Sequence, residues 1–329
     1  MSYAVQFKAL IAILLLGVSA VTTAAANAQS NYPNQPIRVV IGFAPGASLD
    51  AMARFMAGPM SEYLGQPVIV ENRTGASGNL ATEFVARAKP DGYTLLYSGS
   101  GGFVVNPATY ATINYDPMKD FTHIGLVGTT DLMVIVNPSV PAKTVDEFVE
   151  LTKKDPGRYK YGTNGAGNNY HLCIELFKQR TGARMEGVHY RGTGLLLPDL
   201  IANQVQISCA VPADVRSQIE SGVVRGLFMM SKTRSNALPN VPTSAEMGYP
   251  DLVRSGWWGF HAARGMPQPV VDKLRAAIAK TLANPAVSEK LLAMGVDLVS
   301  ETQETFATRI EEALKSNQEV ARMANIRIE

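Results

Sequence analysis

Apolar positions along this chain follow two alternating rhythms. Ile37–Ile41 (IRVVI) is a short β-branched run, as expected of a buried strand, and Leu49–Leu64 then places Met52, Phe55, Met56, Met60 and Leu64 at helical spacing. Pro67–Val70 predicts a second strand, a helix follows from about Leu80 to Ala88, and Thr94–Tyr97 predicts a third strand. Between the last two, Pro90-Asp91-Gly92 is a turn, because proline presets φ and glycine supplies positive φ. The alternation resumes at Leu132–Val136, with strand-like runs near Tyr159–Gly162, Glu186–Tyr190, Ile207–Val211 and Val224–Met230. Helical stretches separate them near Val145–Lys154, Tyr170–Thr181, Leu195–Ala202 and Val215–Ser221. Pro239, Pro242 and Pro250 punctuate a less regular stretch before a strand at Gly256–Ala262 and helices at Val270–Leu282, Ala286–Met294 and Glu304–Ala324. Strands alternating with helices predict an α/β fold built from parallel βαβ units. The expected division is two lobes with a parallel-dominated sheet in each, joined by two hinge stretches near Leu132–Asn137 and Arg254–Ala262. That assigns 29–132 plus 254–329 to one lobe and 133–253 to the other.

The first residues break this pattern. Met1–Lys8 carries one basic side chain, Ala9–Val21 is an apolar run, and Ala26-Asn27-Ala28 fits a small-x-small cleavage site. This reads as a signal peptide over residues 1–28, and the run is shorter than the roughly 20 residues needed to span a bilayer. The remaining chain is expected to be exported and soluble.

Composition then narrows the functional classes. The 329 residues are 46% hydrophobic and 18% charged, enough apolar material for large cores and incompatible with a disordered or collagen-like chain. Thirty Lys and Arg nearly cancel twenty-eight Asp and Glu, and no basic run occurs, which argues against nucleic acid as a partner. Only Cys173 and Cys209 are present. Export permits a disulfide, but both lie in apolar patterns, and two separately buried thiols are the favoured reading.

The strongest chemical signal is Gly42-Phe43-Ala44-Pro45-Gly46-Ala47-Ser48-Leu49-Asp50, joining the first strand to the first helix. Such a turn leaves backbone N–H groups at a helix N-terminus, a ready anion site. It lacks the Lys-Ser/Thr ending of a P-loop and the spacing of a dinucleotide fold, so a carboxylate fits better than a nucleotide. The alternative is a plain turn, with Ser48 or Asp50 as helix cap. Tyr161-Gly162-Thr163-Asn164-Gly165-Ala166-Gly167-Asn168-Asn169-Tyr170-His171 is a second loop of this kind, with uncharged hydrogen-bonding groups on Thr163, Asn164 and Asn168. Here Asn168 or Asn169 could serve only as N-cap. A third Gly/Ser loop, Ser98-Gly99-Ser100-Gly101-Gly102, is expected at the same strand ends, with Ser98 and Ser100 toward the ligand. One anion-type loop per lobe predicts a cleft that traps a small acid. Arg191 in His189-Tyr190-Arg191-Gly192 could face a carboxylate or could be a solvated surface residue.

Enzyme readings find less support. Neither Ser98–Gly102 nor Gly75–Gly78 makes a G-x-S-x-G nucleophile elbow, and His123, His171, His189 and His261 are too scattered for a metal pair.

Several segments, in order, resemble one known family. They are Tyr32-Pro33…Pro36-Ile37-Arg38, Phe43-Ala44-Pro45-Gly46…Asp50…Ala53-Arg54, Val70-Glu71-Asn72-Arg73-Thr74-Gly75-Ala76…Gly78 and Ala88-Lys89-Pro90-Asp91-Gly92-Tyr93-Thr94-Leu95. Tyr115-Asp116-Pro117…Asp120-Phe121, Tyr161-Gly162…Gly165…Gly167…His171-Leu172, Tyr190-Arg191-Gly192, Asp199-Leu200…Gln204-Val205, Leu238-Pro239-Asn240-Val241-Pro242-Thr243 and Gly256-Trp257-Trp258-Gly259 continue the series. The mature chain resembles the periplasmic substrate-binding receptors of tripartite tricarboxylate transporters, the Bug proteins. The resemblance implies a two-lobed periplasmic binding protein fold of type II that closes on its ligand, without catalysis, cofactor or metal. It implies a small organic acid as ligand (a di- or tricarboxylate, an acidic amino acid or an aromatic acid) and integral membrane subunits of the transporter as partners, with the receptor a monomer. It places one carboxylate at Phe43, Ala44, Gly46, Ala47 and Ser48, with the partner loop at Thr163, Asn164, Gly165, Ala166 and Asn168, and marks Asp214 for specificity. Alternatives are the same fold signalling to a sensor kinase and, with less support, a periplasmic hydrolase. The chain departs from the family's pattern at Ala47, Leu49, Gln206 and the apolar run Leu195-Leu196-Leu197, changes that fit either an apolar ligand body or repacking of the core.

Overall fold

A computed structural model describes residues 31–329; the signal segment 1–28 lies outside the described residues. From the N-terminus the elements are β1 (Ile37–Ile41), α1 (Ser48–Leu64), β2 (Val68–Asn72), α2 (Asn79–Ala86), β3 (Thr94–Gly99), α3 (Asn106–Thr109) and β4 (Phe121–Asp131). Then follow β5 (Met133–Val136), α4 (Val145–Lys154), β6 (Lys160–Thr163), α5 (Asn169–Thr181), β7 (Glu186–His189), α6 (Thr193–Ile201), β8 (Ile207–Ala210), α7 (Pro212–Glu220) and β9 (Arg225–Met229). The chain ends with β10 (Ser255–Ala263), α8 (Gln268–Ala283), α9 (Pro285–Ala293), β11 (Asp297–Leu298) and α10 (Gln303–Met323). The fold is α/β with two lobes. A six-stranded sheet runs β11-β4-β10-β3-β1-β2, and a five-stranded sheet runs β7-β6-β8-β5-β9.

Local chemistry explains many boundaries. Before α4, Thr144 accepts from the Glu147 N–H while Glu147 reaches back to the Thr144 N–H, a reciprocal capping box, and Lys153 and Lys154 sit where the helix dipole favours cations. Asn168 caps α5, accepting from the Tyr170 and His171 N–H groups, and Gly182 ends the helix at φ 75°.

The expectation of parallel-dominated sheets is corrected: both are mixed. In the first sheet β1 pairs parallel with β2 and β3, but β10 runs antiparallel to β3 and β4, and β11 antiparallel to β4. In the second, β6 pairs parallel with β7 and β8, while β5 is antiparallel to β8 and β9. Every antiparallel pair includes a strand next to a crossing, β4 or β5 on one side and β9 or β10 on the other. β4 escaped the pattern reading because Gly125, Gly128 and several polar residues dilute its β-branched character. Close packing requires one of those glycines: a Cβ on Gly128 would lie 2.6 Å from the Asp297 carbonyl oxygen.

The chain leaves the six-stranded sheet at Leu132 and returns to it at Arg254. These crossings are knitted together: the Leu132 N–H donates to the Arg254 carbonyl (2.8 Å), the Met230 N–H to Leu132 (2.7 Å) and the Arg254 N–H to Met230 (2.9 Å). The second crossing is thus at Arg254 itself, since all of β10 belongs to the first sheet. Helix α10 bridges the halves. Phe306 and Ile310 pack in a core beneath the first sheet, whereas Val320 packs in the core of the second.

The free-thiol reading of the cysteines is also corrected. Cys173 of α5 and Cys209 of β8 form a disulfide, their Cα atoms 6.3 Å apart. The helix lies across the strand, so the two apolar patterns meet at one point of the same core.

A buried histidine pair gives the first lobe a pH dependence. His123 (β4) and His261 (β10) meet Nδ1 to Nδ1 at 3.1 Å among Phe103, Trp257 and Phe306, and neither Nε2 has a hydrogen-bond partner among the described residues. Burial lowers the His123 pKa to about 4 and pushes His261 well below its usual value. The unfolded chain therefore binds more protons between the two pKa values. The stabilisation is complete above about pH 6.5 and is lost as pH falls toward 4. Urea titration is expected to give an unfolding free energy lower at pH 5 than at pH 7 by about 2 kcal/mol from His123 alone; equal values would contradict a neutral pair.

Candidate functional site

The Gly-rich turn after β1 is shaped by an acid in the helix it introduces. Asp50 is buried, and its carboxylate accepts from the Gly46 N–H (2.9 Å), Arg54 Nε (3.0 Å) and Asn72 Nδ2 (2.9 Å). Asn72 Nδ2 also donates to the Phe43 carbonyl. Burial pushes the Asp50 pKa up, but Arg54, the Gly46 amide and Asn72 outweigh it and hold the pKa at about 2. The Gly46 amide, one of the expected anion donors, is therefore spent within the protein, and the Ala47 N–H donates to the Ala44 carbonyl (3.2 Å). Neither Ser48 nor Asp50 caps α1: the N-cap is Ala47, which has no capping side chain. The first helical bond starts at the Ala51 N–H, so those of Ser48, Leu49 and Asp50 have no hydrogen-bond partner among the described residues. These three backbone donors, with the helix dipole behind them, are the anion-binding potential of this loop. Phe43, Ala44 and Gly46 are exposed beside them, and Ala47 and Ser48 are half-buried.

A second wall comes from residues that the sequence reading passed over as a failed nucleophile motif. Gly75, Ala76, Ser77 and Gly78 all have positive φ (137°, 45°, 53° and 94°). Left-handed conformations at Ala and Ser are costly and persist only where surroundings hold them. Here Asn106 Nδ2 donates to the Ser77 carbonyl (3.0 Å) and the Tyr110 hydroxyl to Ser77 Oγ (3.0 Å). Gly42, at the end of β1, presses on this loop: a Cβ there would meet Gly78 Cα at 2.5 Å. The earlier signals for this wall were its glycine and serine content and its place in the resembling segment Val70–Gly78.

The expected third loop takes a different form. β3 continues through Gly99, Ser100 is already helical, and a π-helical turn over Gly101–Val105 leads into α3. Ser98 is buried and donates to the Gly99 carbonyl (3.0 Å).

In the other lobe the loop after β6 is built by its own side chains. Thr163 is fully buried, 2.9 Å from the Gly165 carbonyl and 2.8 Å from His189 Nδ1. Asn168 is the N-cap and also donates to Asn164, whose Nδ2 donates to Thr193 Oγ1 (3.1 Å). Thr163 and Asn168 thus support the loop, and Asn164, Gly165 and Ala166 form its half-buried surface. Beneath it His171 Nδ1 accepts from the Gly167 N–H (3.0 Å), and burial followed by the neighbouring His189 lowers its pKa to about 4.

The two lobes approach one another at these loops. The atom Ser77 Oγ lies 3.6 Å from where a Cβ on Gly165 would stand. Asp214, near the start of α7, takes hydrogen bonds from the hydroxyls of Tyr170 and Thr193, and Ser48 of the opposite lobe is near enough to favour its charged form. Burial raises its pKa despite these partners. Arg191 stands exposed, with no ion pair or side-chain hydrogen bond among the described residues. Among the described residues no cluster of His, Cys, Asp and Glu could hold a metal ion, and no helix is long and apolar enough to cross a membrane.

The chain is similar to known proteins along most of its length. Residues 52–326 match the family described as "Tripartite tricarboxylate transporter family receptor". The chain is 34% identical to Protein BugT of Bordetella pertussis over 294 residues, 89% of this chain and 90% of that one. Among solved structures it resembles R. palustris Rpa4515 with adipate (TM-score 0.84, 29% identity, 91% of this chain and 100% of that one). It also resembles MatC from Rhodopseudomonas palustris with bound malate (TM-score 0.80, 28% identity, 88% and 99%).

Proposed function

The chain belongs to the tripartite tricarboxylate transporter receptor family, and from that premise we propose that it is a periplasmic receptor for a small carboxylate, captured between its lobes. The observation that carries this reading is the group of unpartnered N–H donors of Ser48, Leu49 and Asp50, opposite the loop at Asn164–Ala166 and Asp214. In this account Phe43, Ala44, Ala47 and Ser48 border the carboxylate, and Asn164, Gly165 and Ala166 close over it. Gly46, Thr163 and Asn168 act by shaping the loops. Asp214 is an acceptor at the cleft and favours a ligand that offers a hydroxyl or ammonium there over one that places a second carboxylate against it. The adipate and malate of the two structural relatives support a small acid as ligand class. Lobes of 29–132 plus 254–329 and of 133–253 accord with the crossings at Leu132 and Arg254. Ligand binding selects the closed arrangement, and the closed face is what integral membrane subunits of a transporter would recognise. The receptor acts as an exported monomer without catalytic chemistry.

Titration of the mature chain with a panel of organic acids tests this. At least one acid is expected to shift the intrinsic fluorescence of Trp257 and Trp258, which lie in β10 just past the crossing at Arg254, and to raise the melting midpoint by several degrees, as binding to the native state requires. A broad panel that moves neither would refute the reading.

A further inference from the structure

Arg254 stands where the chain crosses between the two sheets. It is 8% exposed, and no carboxylate pairs with it among the described residues. Its Nε and Nη2 donate to Asn169 Oδ1 (3.3 and 3.0 Å), and Nη2 also to Asn317 Oδ1 (2.6 Å), all neutral acceptors. Nη1 has no hydrogen-bond partner among the described residues. Burial lowers the Arg254 pKa to about 10, with no opposing charge to restore it, yet a guanidinium keeps its proton at neutral pH. A buried cation without a counter-charge is strongly unfavourable.

Arg254 lines a cavity of about 130 Å³ whose lining contains no Asp or Glu. Ser100, Asn169, Ser255 and Ser316 line it too. Ser255 is committed to Asp131, but Ser100 Oγ, which is buried, and Asn169 Nδ2 have no hydrogen-bond partner among the described residues, and Ser316 stands exposed at the rim of the cavity. Ser100 Oγ and Asn169 Nδ2 converge over Gly256, where a Cβ would stand 3.3 and 3.7 Å from them. One buried positive charge and two uncommitted donors therefore face a space that holds a few non-hydrogen atoms, with the exposed Ser316 hydroxyl at its rim.

We propose that this cavity binds a small monovalent anion, gripped by Arg254 with Ser100, Asn169 and Ser316. A halide-sized ion or a single carboxylate group fits both the charge and the volume. The donors come from both sides of the crossing: Ser100 follows β3 of the first sheet, Asn169 opens α5 of the second lobe, and Ser316 lies on the bridging helix α10. Occupancy thus ties the lobes at their hinge and couples anion concentration to closure.

The test uses the mature chain with bromide as probe. Melting midpoints are measured from 0 to 50 mM sodium bromide, with ionic strength held constant by sodium sulfate and no organic acid present, so failure of the cleft reading leaves this arm unaffected. Bromide is expected to raise the midpoint by about 2 °C or more, and the rise to vanish in Arg254→Met. Crystals grown in bromide are expected to show an anomalous peak within about 3.5 Å of Arg254 Nη1. Ser316→Ala, which removes one donor, should weaken the response several-fold and keeps the test decisive if Arg254→Met does not fold. A second arm replaces bromide with succinate: a response to succinate alone, lost in Arg254→Met, identifies the anion as the far carboxylate of a cleft ligand. No response to either, or equal responses in wild type and both variants, overturns the proposal. A peak without any effect on melting is an adventitious ion only and also overturns it.

Discussion

Replacing both Cys173 and Cys209 with alanine is expected to lower the melting midpoint by about 10 °C. The bridge closes a loop over a sequence separation of 36 residues. Constraining a loop of that size in the unfolded chain contributes about 4 kcal/mol, and a domain of this size loses roughly 2–4 °C per kcal/mol. Both sulfurs are fully buried, so truncation adds a small cavity cost to the lost constraint. The site should feel the change as well. Cys173 lies on α5, whose first turn is capped by Asn168 and whose His171 receives the Gly167 amide. Thermal unfolding monitored by circular dichroism checks this against the wild-type protein. A shift of less than about 2 °C would mean that the cross-link constrains nothing that matters to stability.

The second large effect is on binding. Gly42→Ala is expected to weaken ligand affinity at least about 100-fold, as a shift of roughly an ångström in preorganised binding groups can do. The added methyl would meet the Gly78 backbone at 2.5 Å, and backbone cannot swing aside as a side chain can. The strain falls between the loop that leads to the Ser48, Leu49 and Asp50 amides and the loop that carries Ser77. Gly42 has no positive φ to lose, so the effect is one of space alone. Isothermal titration with an acid that binds the wild type measures it. Affinity within threefold of wild type would show that these two loops need not touch for binding.

Much of the architecture was legible because local chemistry and global fold agree. α4 begins and ends where predicted, since Thr144, Glu147, Lys153 and Lys154 encode its ends directly. β4 was hidden because one of its glycines, Gly128, is required by close contact with β11, which no local pattern reveals. The mixed sheets were hidden for a related reason. A strand's direction depends on where the chain returns after a crossing, and hydrophobic alternation looks the same either way. At the site, the loops were found by their glycine content, but the roles within them were not. Asp50, which with Ser48 was the alternative helix cap, instead takes up the Gly46 amide; Thr163 read as a ligand group and is buried in its own loop. The disulfide needed two Cα atoms to come within 6.3 Å across 36 residues of chain, which cysteine spacing does not encode.

Near-neutral overall charge is consistent with this mode of recognition. Thirty basic and twenty-eight acidic side chains leave little net charge to attract an acid, and Asp50 and Arg54 neutralise one another beside the first loop. The positive potential for a carboxylate then comes from oriented peptide groups. The crystal structure of the mature chain with a bound acid tests this directly. The account predicts a carboxylate oxygen about 2.7–3.2 Å from the amides of Ser48 and Leu49, with Gly165 across the cleft and no lysine or arginine on that carboxylate. A carboxylate held instead by Arg191, or lying away from the α1 N-terminus, would contradict it.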